Sequence, residues 1–426
     1  MLRRGLRAVG LAGAGSARKM RHAVNHSVGH RRLASHAVTL PREQQLRETS
    51  ASSPSAPEPQ EWPGGAERPG GYVFRESVNE QLKEAEDATS LFAIVEAHSR
   101  GRFSASNLCT AWHRLSRVVM TLPKEQKRQL LLAHASTIER MCQMLESNMH
   151  KMRPAQLAAT ANGLSRLGHP SAATLLPAIA RSAGEKISEF GWREMANMAW
   201  AMSCSGLADD PLLGRMLPFA LERLDEFRPG ELTMLVGAYV QRVQLMEAAG
   251  TSVGASRAIG EPVQGEALLL RRAAGRAATL SPIFQPWEAT KLLCAYASIG
   301  DTHRTLDVLA LFRTIARVHM SKLETYSDRD LAMLVWAFSY TRTAHSKLIT
   351  HACVVAHPRL ATFSMDSLGM MLWAVSSASF ISPLTLPERV AFVEKAAEVA
   401  SRSRFFRFFS FFFDSSFFSF SFLRFC

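Results

Sequence analysis

The chain has 426 residues, 47% of them hydrophobic and 20% charged, with a formal net charge of +13 at pH 7. This hydrophobic content excludes a wholly disordered chain and is ample for burying a core. The charge suggests an anionic partner, but residues 1–48 carry a net +8 and residues 73–400 only +4.

Residues 1–48 contain ten basic and two acidic side chains, and no acidic residue precedes Glu43. An Arg-rich, acid-poor and weakly amphipathic segment is typical of an organelle transit peptide. We therefore expect a disordered leader and a mitochondrial location, with the plastid as the alternative. A basic arm with no targeting role stays open as a second interpretation.

Residues 49–72 are rich in Pro, Gly, Ser and Ala, as the run TSASSPSAPEPQEWPGG illustrates. Such a composition forms no packed core, so this segment is predicted to be a flexible linker. The folded part is predicted to begin near Val73 and to span residues 73–400.

A repeated motif, clearest between Tyr326 and Ser339, indicates how this part folds. An aromatic residue is followed five positions later by an aliphatic residue, and five further by a Trp-Ala-x-Ser block. Copies of decreasing quality begin at Phe363, Phe190, Phe227, Phe284, Met152 and Phe103. The period is about 37 residues with two insertions, which is typical of solenoids. The sequence predicts an all-α fold, an α-solenoid of about six to seven helix-turn-helix repeats.

The first helix of each repeat has clear start and stop signals. Proline suits the first helical position, and glycine suits the position that follows the helix. These residues are Pro154, Pro229 and Pro286 at the starts, and Gly168, Gly206 and Gly300 at the ends. With the aliphatic residue as position 0, positions 0, +3, +4 and +7 are apolar and share one face, while +1 and +6 are mostly small.

Three tryptophans, Trp200, Trp336 and Trp373, stand at position +5, where the periodicity predicts core residues.

The second helix of each repeat is amphipathic. Residues 244–282 form the longest insertion and are predicted to be a projecting loop plus a helix.

Residues 401–426 form a non-globular, low-complexity tail with twelve Phe and seven Ser. Phe, Ser, Leu, Arg and Cys can all be encoded by pyrimidine-rich codons, so we hypothesise that the tail is a translated polypyrimidine tract. A membrane anchor is the alternative, but Arg407, Asp414 and the serines oppose a helix in lipid.

The motif resembles the octotricopeptide and heptatricopeptide repeats, and it is similar to the leucine-rich repeats of FAST-kinase-like proteins. The resemblance covers residues 100–380 and is most specific at 190–205, 326–341 and 363–378. Many such proteins end in a RAP domain, to which no segment here is similar. The resemblance implies RNA binding in the mitochondrial matrix or plastid, in RNA processing, transcript stability or ribosome assembly.

Positions +2 and +9 of the first helix vary between repeats, and repeat proteins place such variable side chains against successive RNA bases. Two arginines near helix ends are added as predicted phosphate contacts. The predicted residues for single-stranded RNA are Arg166, Asn197, Gln241, Arg242, Lys291, Ser298, Tyr340 and Arg342. Alternatively, these positions only pack or face solvent, and the solenoid is a protein-interaction scaffold without RNA contact. The small net charge of residues 73–400 favours that alternative.

Motifs for catalysis are missing from the sequence, which has no G-x-S-x-G, P-loop or H-E-x-x-H. The six cysteines form no C-x-x-C pair. We therefore expect no enzymatic activity, cofactor, metal site or disulfide, and no association with a membrane.

Overall fold

The computed structural model describes residues 77–99, 103–208, 210–252, 262–299, 305–343, 345–378 and 386–402. The chain divides into two units, Met1–Tyr72 and Val73–Cys426, and all described residues belong to the second. The predicted leader, the predicted linker, Gly300 and the tail beyond Arg402 lie outside the described residues.

All regular structure in these ranges is helical, which confirms the predicted all-α class. In chain order the helices are α1 (Val78–Glu84), α2 (Ala88–His98), α3 (Ala105–Met120), α4 (Lys124–Ala133), α5 (Ala135–Asn148), α6 (Pro154–Leu167), α7 (Ala172–Glu185), α8 (Trp192–Cys204), α9 (Pro211–Glu222), α10 (Pro229–Ser252), α11 (Pro262–Leu280), α12 (Pro286–Ser298), α13 (Leu306–His319), α14 (Asp328–Tyr340), α15 (Ser346–Ala356), α16 (Met365–Ser377) and α17 (Pro387–Arg402).

The helices are arranged in two rows, as in an α-solenoid, which confirms the predicted architecture. The first helices of the repeats pack on one another in the order α3, α6, α8, α10, α12, α14 and α16, and we call this series the A row. The second helices, α5, α7, α9, α11, α13, α15 and α17, form the B row. The described A and B helices form seven pairs. The helices α1 and α2 precede these pairs in the chain and pack against the first pair.

Each repeat boundary has the same local structure. The chain leaves a B helix through a short 3-10 turn and then passes through one buried apolar residue with extended backbone, such as Phe190 (φ −71°, ψ 126°) or Phe363 (φ −63°, ψ 134°). Most A helices then start at Pro154, Pro229 or Pro286, as predicted, or after a serine whose hydroxyl caps the helix, as Ser327 does for α14. α8 instead starts after Gly191, without a side-chain cap. Proline has the fixed φ that the first helical position requires, and a serine hydroxyl at the N-cap accepts a hydrogen bond from a backbone N–H group of the first turn.

Small residues set the close spacing of the A helices. A Cβ atom added at Gly163, which is position +6 of α6, would lie 2.9 Å from the carbonyl oxygen of Trp112 in α3. Ala201 and Ala337 are fully buried at the same position of their helices. The sequence predicts this feature, because only small side chains allow helix backbones to approach so closely.

Several cations connect successive repeats rather than facing a ligand. Lys186 donates to the carbonyl oxygen of Met152 (2.6 Å), and Arg223 donates to that of Phe190 (2.6 Å). Lys322 donates to that of Pro282 (2.8 Å), one repeat earlier. Each cation satisfies a carbonyl group that the preceding turn leaves without a helical partner, so much of the positive charge is structural.

The insertion at 244–282 is mostly helical in its described parts. α10 continues to Ser252, and α11 starts at Pro262 and serves as the B helix of that repeat, packing on α9 and α13. The predicted projecting loop would have to lie within 253–261, which is outside the described residues.

Candidate functional site

The A row has one face that is turned away from the B row and is only partly covered by the neighbouring A helices. Position +6 faces the preceding A helix, as Gly163 does, and position +8 faces the next one, because Ser165 Oγ donates to the carbonyl oxygen of Ala201 (2.9 Å). Positions 0, +3, +4 and +7 form the core between the rows. At 100° per residue, positions −2, +2, +5 and +9 remain, and we call the surface they form the free face.

At α6 and α8 the free face carries a cation stacked on an indole. The guanidinium carbon of Arg166 lies 4.7 Å from the centroid of the Trp200 ring. Arg166 Nε also donates to Asn162 Oδ1 (2.7 Å), and Asn162 Nδ2 donates to Asn197 Oδ1 (3.0 Å). The amides therefore hold the guanidinium over the ring, in the geometry of a cation–π interaction.

Several positive charges lie close to this cluster. Partial burial lowers the pKa of His113, and the positive charges of Arg117, Arg166 and Arg114 lower it further. His113 is position +5 of α3, so the positive region extends along the free face from α3 to α6.

Two more cation–indole groups lie where A helices begin. Trp192, at the start of α8, has the guanidinium carbon of Arg193 5.0 Å from its ring centroid and that of Arg228 at 5.5 Å. On α12, Lys291 Nζ lies 5.5 Å from the centroid of Trp287, whose side chain is 45% exposed. In the described part of the chain, the four cations Arg166, Arg193, Arg228 and Lys291 form no ion pair with a carboxylate.

At the other end of the A row three aromatic rings form a stack. The Tyr340 ring lies 4.9 Å from the Trp336 ring at an interplanar angle of 21°, and 6.5 Å from the Trp373 ring at 39°. Trp336 is buried at 3% exposure, as the sequence predicts, while Tyr340 is 40% exposed. Trp200 and Trp373 pack against the core but are only half-buried, so their predicted placement in the core holds only in part. Position +5 lies at the border of the free face, and only Trp336 is covered by a neighbouring ring.

The structure separates the eight predicted RNA contacts into two groups. Arg166, Lys291, Tyr340 and Arg342 are exposed on the free face or just beyond it, and Asn197 is half-buried beside them. The predicted residues Gln241 and Ser298 are also half-buried, and each is hydrogen-bonded to a neighbouring A helix: Gln241 accepts from Ser203, and Ser298 Oγ accepts from Gln244 Nε2 (3.2 Å).

The prediction that Arg242 contacts phosphate is wrong, because its side chain is buried. Its Nε lies 3.0 Å from Glu266 Oε1, with 11% and 3% of the two side chains exposed. The guanidinium also donates to the carbonyl oxygens of Ala208 (3.2 Å) and Asp210 (3.1 Å). Arg242 therefore joins α10, α11 and the loop before α9, and its charge is neutralised inside the protein.

Arg342 has an unusual backbone conformation. Its φ is +51°, and it follows α14 at the position where Gly168 (φ 62°) and Gly206 (φ 75°) follow α6 and α8. The N–H groups of Arg342 and Thr343 donate to the carbonyl oxygens of Ser339 and Phe338, each at 3.1 Å. This left-handed conformation ends α14 and places the charged side chain of Arg342 at the surface. The conformation costs conformational free energy for a residue with a Cβ atom, and glycine would avoid that cost.

Sequence reasoning missed Trp192, Arg193, Arg228 and Trp287. They lie at the starts of the A helices, whereas the prediction considers positions +2 and +9 and arginines near the helix ends. A usable signal exists, because an Arg or Trp recurs one to three residues after the boundary aromatic, as in Arg228 after Phe227.

In the ranges the structure describes, no group of three or more His, Cys, Asp or Glu side chains is arranged to hold a metal ion. Within the same ranges, none of the helices combines the length and apolarity needed to cross a bilayer.

Fold and surface together define an α-solenoid with a basic and aromatic free face. Compared with known proteins, the chain matches no family model and no curated protein.

Proposed function

We propose that the protein binds single-stranded RNA along the free face of its A row. The observation that carries the proposal is that cations without a carboxylate partner in the described chain lie beside indole rings on α6, α8 and α12, and that α14 adds a stacked indole and phenol ring. Proteins that bind single strands combine a positively charged path for the phosphates with aromatic rings on which bases stack. Each stacked base contributes about 1–3 kcal/mol in such proteins.

The two ends of the free face have different roles in this proposal. Around Arg166 the half-buried amide of Asn197 is placed to hydrogen-bond a base edge, and the guanidinium pairs with phosphate or stacks. Around Tyr340 the stack presents an exposed ring for a base, while Arg342 is placed to contact phosphate. Lys291 and Arg193 supply charge between these two regions.

We also propose that this RNA binding occurs in an organelle, the mitochondrion before the plastid. Support comes from the Arg-rich, acid-poor residues 1–48 and from the resemblance to octotricopeptide and FAST-kinase-like repeats. That resemblance makes RNA processing, transcript stability or ribosome assembly the expected process.

The proposal is tested by the fluorescence anisotropy of a labelled single-stranded oligoribonucleotide titrated with protein at several salt concentrations. Each phosphate that the protein neutralises contributes a slope of about −0.7 to the log–log salt plot. Arg166→Gln and Lys291→Gln should each reduce the slope by about that amount. Arg128→Gln, on exposed α4 and paired with Glu125, is the matched control and should leave it unchanged. Absence of binding at low salt, or binding that is independent of salt, contradicts the proposal.

A second candidate function is a protein-interaction scaffold. Position +2 of three A helices is methionine (Met234, Met333 and Met370), and methionine is common at adaptable protein-binding surfaces. For a scaffold we expect no RNA affinity at any salt concentration, and loss of partner binding on Met370→Lys.

A further inference from the structure

Among the described residues of the B row, a cleft lies between α13 and α15. Unlike the other neighbouring B helices, these two share almost no close backbone contact over their described residues. The resulting cleft has a volume of about 600 Å³ and is lined by Ala310, Arg313, Thr314, Arg317, Met320 and His345. Pockets for small ligands have volumes of this order.

The polar lining of the cleft consists of cations and neutral groups. Arg313 and Arg317 stand one turn apart on α13, so both guanidinium groups project from the same side of that helix. Neither forms an ion pair with a carboxylate of the described chain, and none of the described residues that line the cleft is acidic. The nearest acidic residue on α13, Asp307, lies 3.9 Å from Arg271 instead.

The opposite wall is the start of α15. No side chain caps this helix, whose N-cap residue is the cleft-lining His345. The positive end of the helix dipole therefore borders the cleft. The His345 ring packs edge-on against Phe338, with centroids 6.2 Å apart, and its buried Nδ1 has no hydrogen-bond partner among the described residues.

We propose that this cleft binds a small phosphorylated ligand of mononucleotide size, with the phosphoryl group between Arg313, Arg317 and the start of α15. Guanidinium groups and helix N-termini are the groups that proteins use most for phosphate. Ala310 and Met320 supply an apolar surface for the organic part of the ligand. A bare anion site would not need a cleft of this volume.

The site is separate from the candidate RNA interface, because it lies in the B row and uses none of the free-face residues. The two proposals can therefore fail independently.

The test is isothermal titration of the full chain with adenosine monophosphate, pyrophosphate and adenosine at fixed ionic strength. We expect both phosphate compounds to bind and adenosine not to bind. Tighter binding of the nucleotide than of pyrophosphate supports a contribution from the apolar surface, and equal binding of the two contradicts a ligand of mononucleotide size. Adenosine that binds as tightly as its monophosphate, or no binding of either phosphate at millimolar concentration, overturns the proposal.

The proposal is tested further with the double variant Arg313→Gln/Arg317→Gln. Both side chains are exposed, so the variant should fold, and its melting temperature is compared with that of Arg128→Gln. We expect affinity for adenosine monophosphate to fall at least about tenfold, from the loss of two charge-assisted contacts. RNA affinity should stay unchanged. Unaltered nucleotide affinity, or an equal loss of RNA affinity, contradicts a separate small-ligand site.

Discussion

Replacing Glu266 with Ala should destabilise the middle of the solenoid strongly. Glu266 is 2% exposed as a residue, and its carboxylate is the only carboxylate that pairs with Arg242 in the described chain. Removing one partner of a buried ion pair costs about 3–5 kcal/mol, because the remaining charge is left uncompensated. Two carbonyl groups, of Ala208 and Asp210, still accept from the guanidinium, so we expect the lower end of this range.

The double variant Arg242→Met/Glu266→Leu separates the cost of an unpaired charge from the value of the pair. With both charges removed, we expect the protein to be more stable than Glu266→Ala, but less stable than wild type by about 1–3 kcal/mol, because the two carbonyl groups lose their donor.

The assays for these two variants are urea unfolding and native-state hydrogen exchange of α10 and α11, since repeat proteins can unfold in parts. A loss below about 1 kcal/mol for Glu266→Ala, or a double variant no more stable than the single one, would refute this reasoning.

Three other predictions concern single positions. Trp336→Ala should cost about 3–5 kcal/mol, as for large-to-small core changes, and unchanged thermal melting would show that the ring is not buried. Arg342→Gly should raise stability by roughly 0.5–1 kcal/mol in urea unfolding by relieving the left-handed conformation, and a loss of stability would contradict the observed φ. Burial lowers the pKa of His319 in the folded state below the ordinary histidine value of 6.5, and its ring nitrogens contact Ser281 O (3.0 Å) and Tyr326 Oη (2.7 Å). Because the unfolded chain binds this proton more readily, the contribution of His319 to stability should be complete above pH 6.5 and should decrease as the pH falls below that value. A melting temperature that does not decrease below pH 6.5 would contradict this prediction, and so would an equal decrease in the variant His319→Asn.

The repeat architecture could be predicted from the sequence because several separate sequence features recur with the same period. The prolines at helix starts, the aliphatic position 0 and the small residue at +6 all recur at one period, and Gly163 shows why the last is needed. Trp336 was placed correctly for the same reason.

The errors arise where a side chain depends on a partner that is distant in sequence. Arg242 seemed available for phosphate because Glu266, 24 residues later and across an insertion, has no sequence signal that links it to Arg242. Trp200 and Trp373 were assigned to the core because their neighbours at +4 and +7 are core residues. Whether position +5 is covered depends on the ring beside it, which the period does not specify.

The most direct test of the account is to map which residues contact RNA. The full chain is crosslinked by ultraviolet light to single-stranded RNA, and the crosslinked peptides are identified by mass spectrometry. We predict crosslinks on the free face, at the peptides that contain Trp200, Trp287 and Tyr340, and their loss for the last site in Tyr340→Ala. Crosslinks confined to B-row helices, or none under conditions where a known RNA-binding protein crosslinks, would contradict the account.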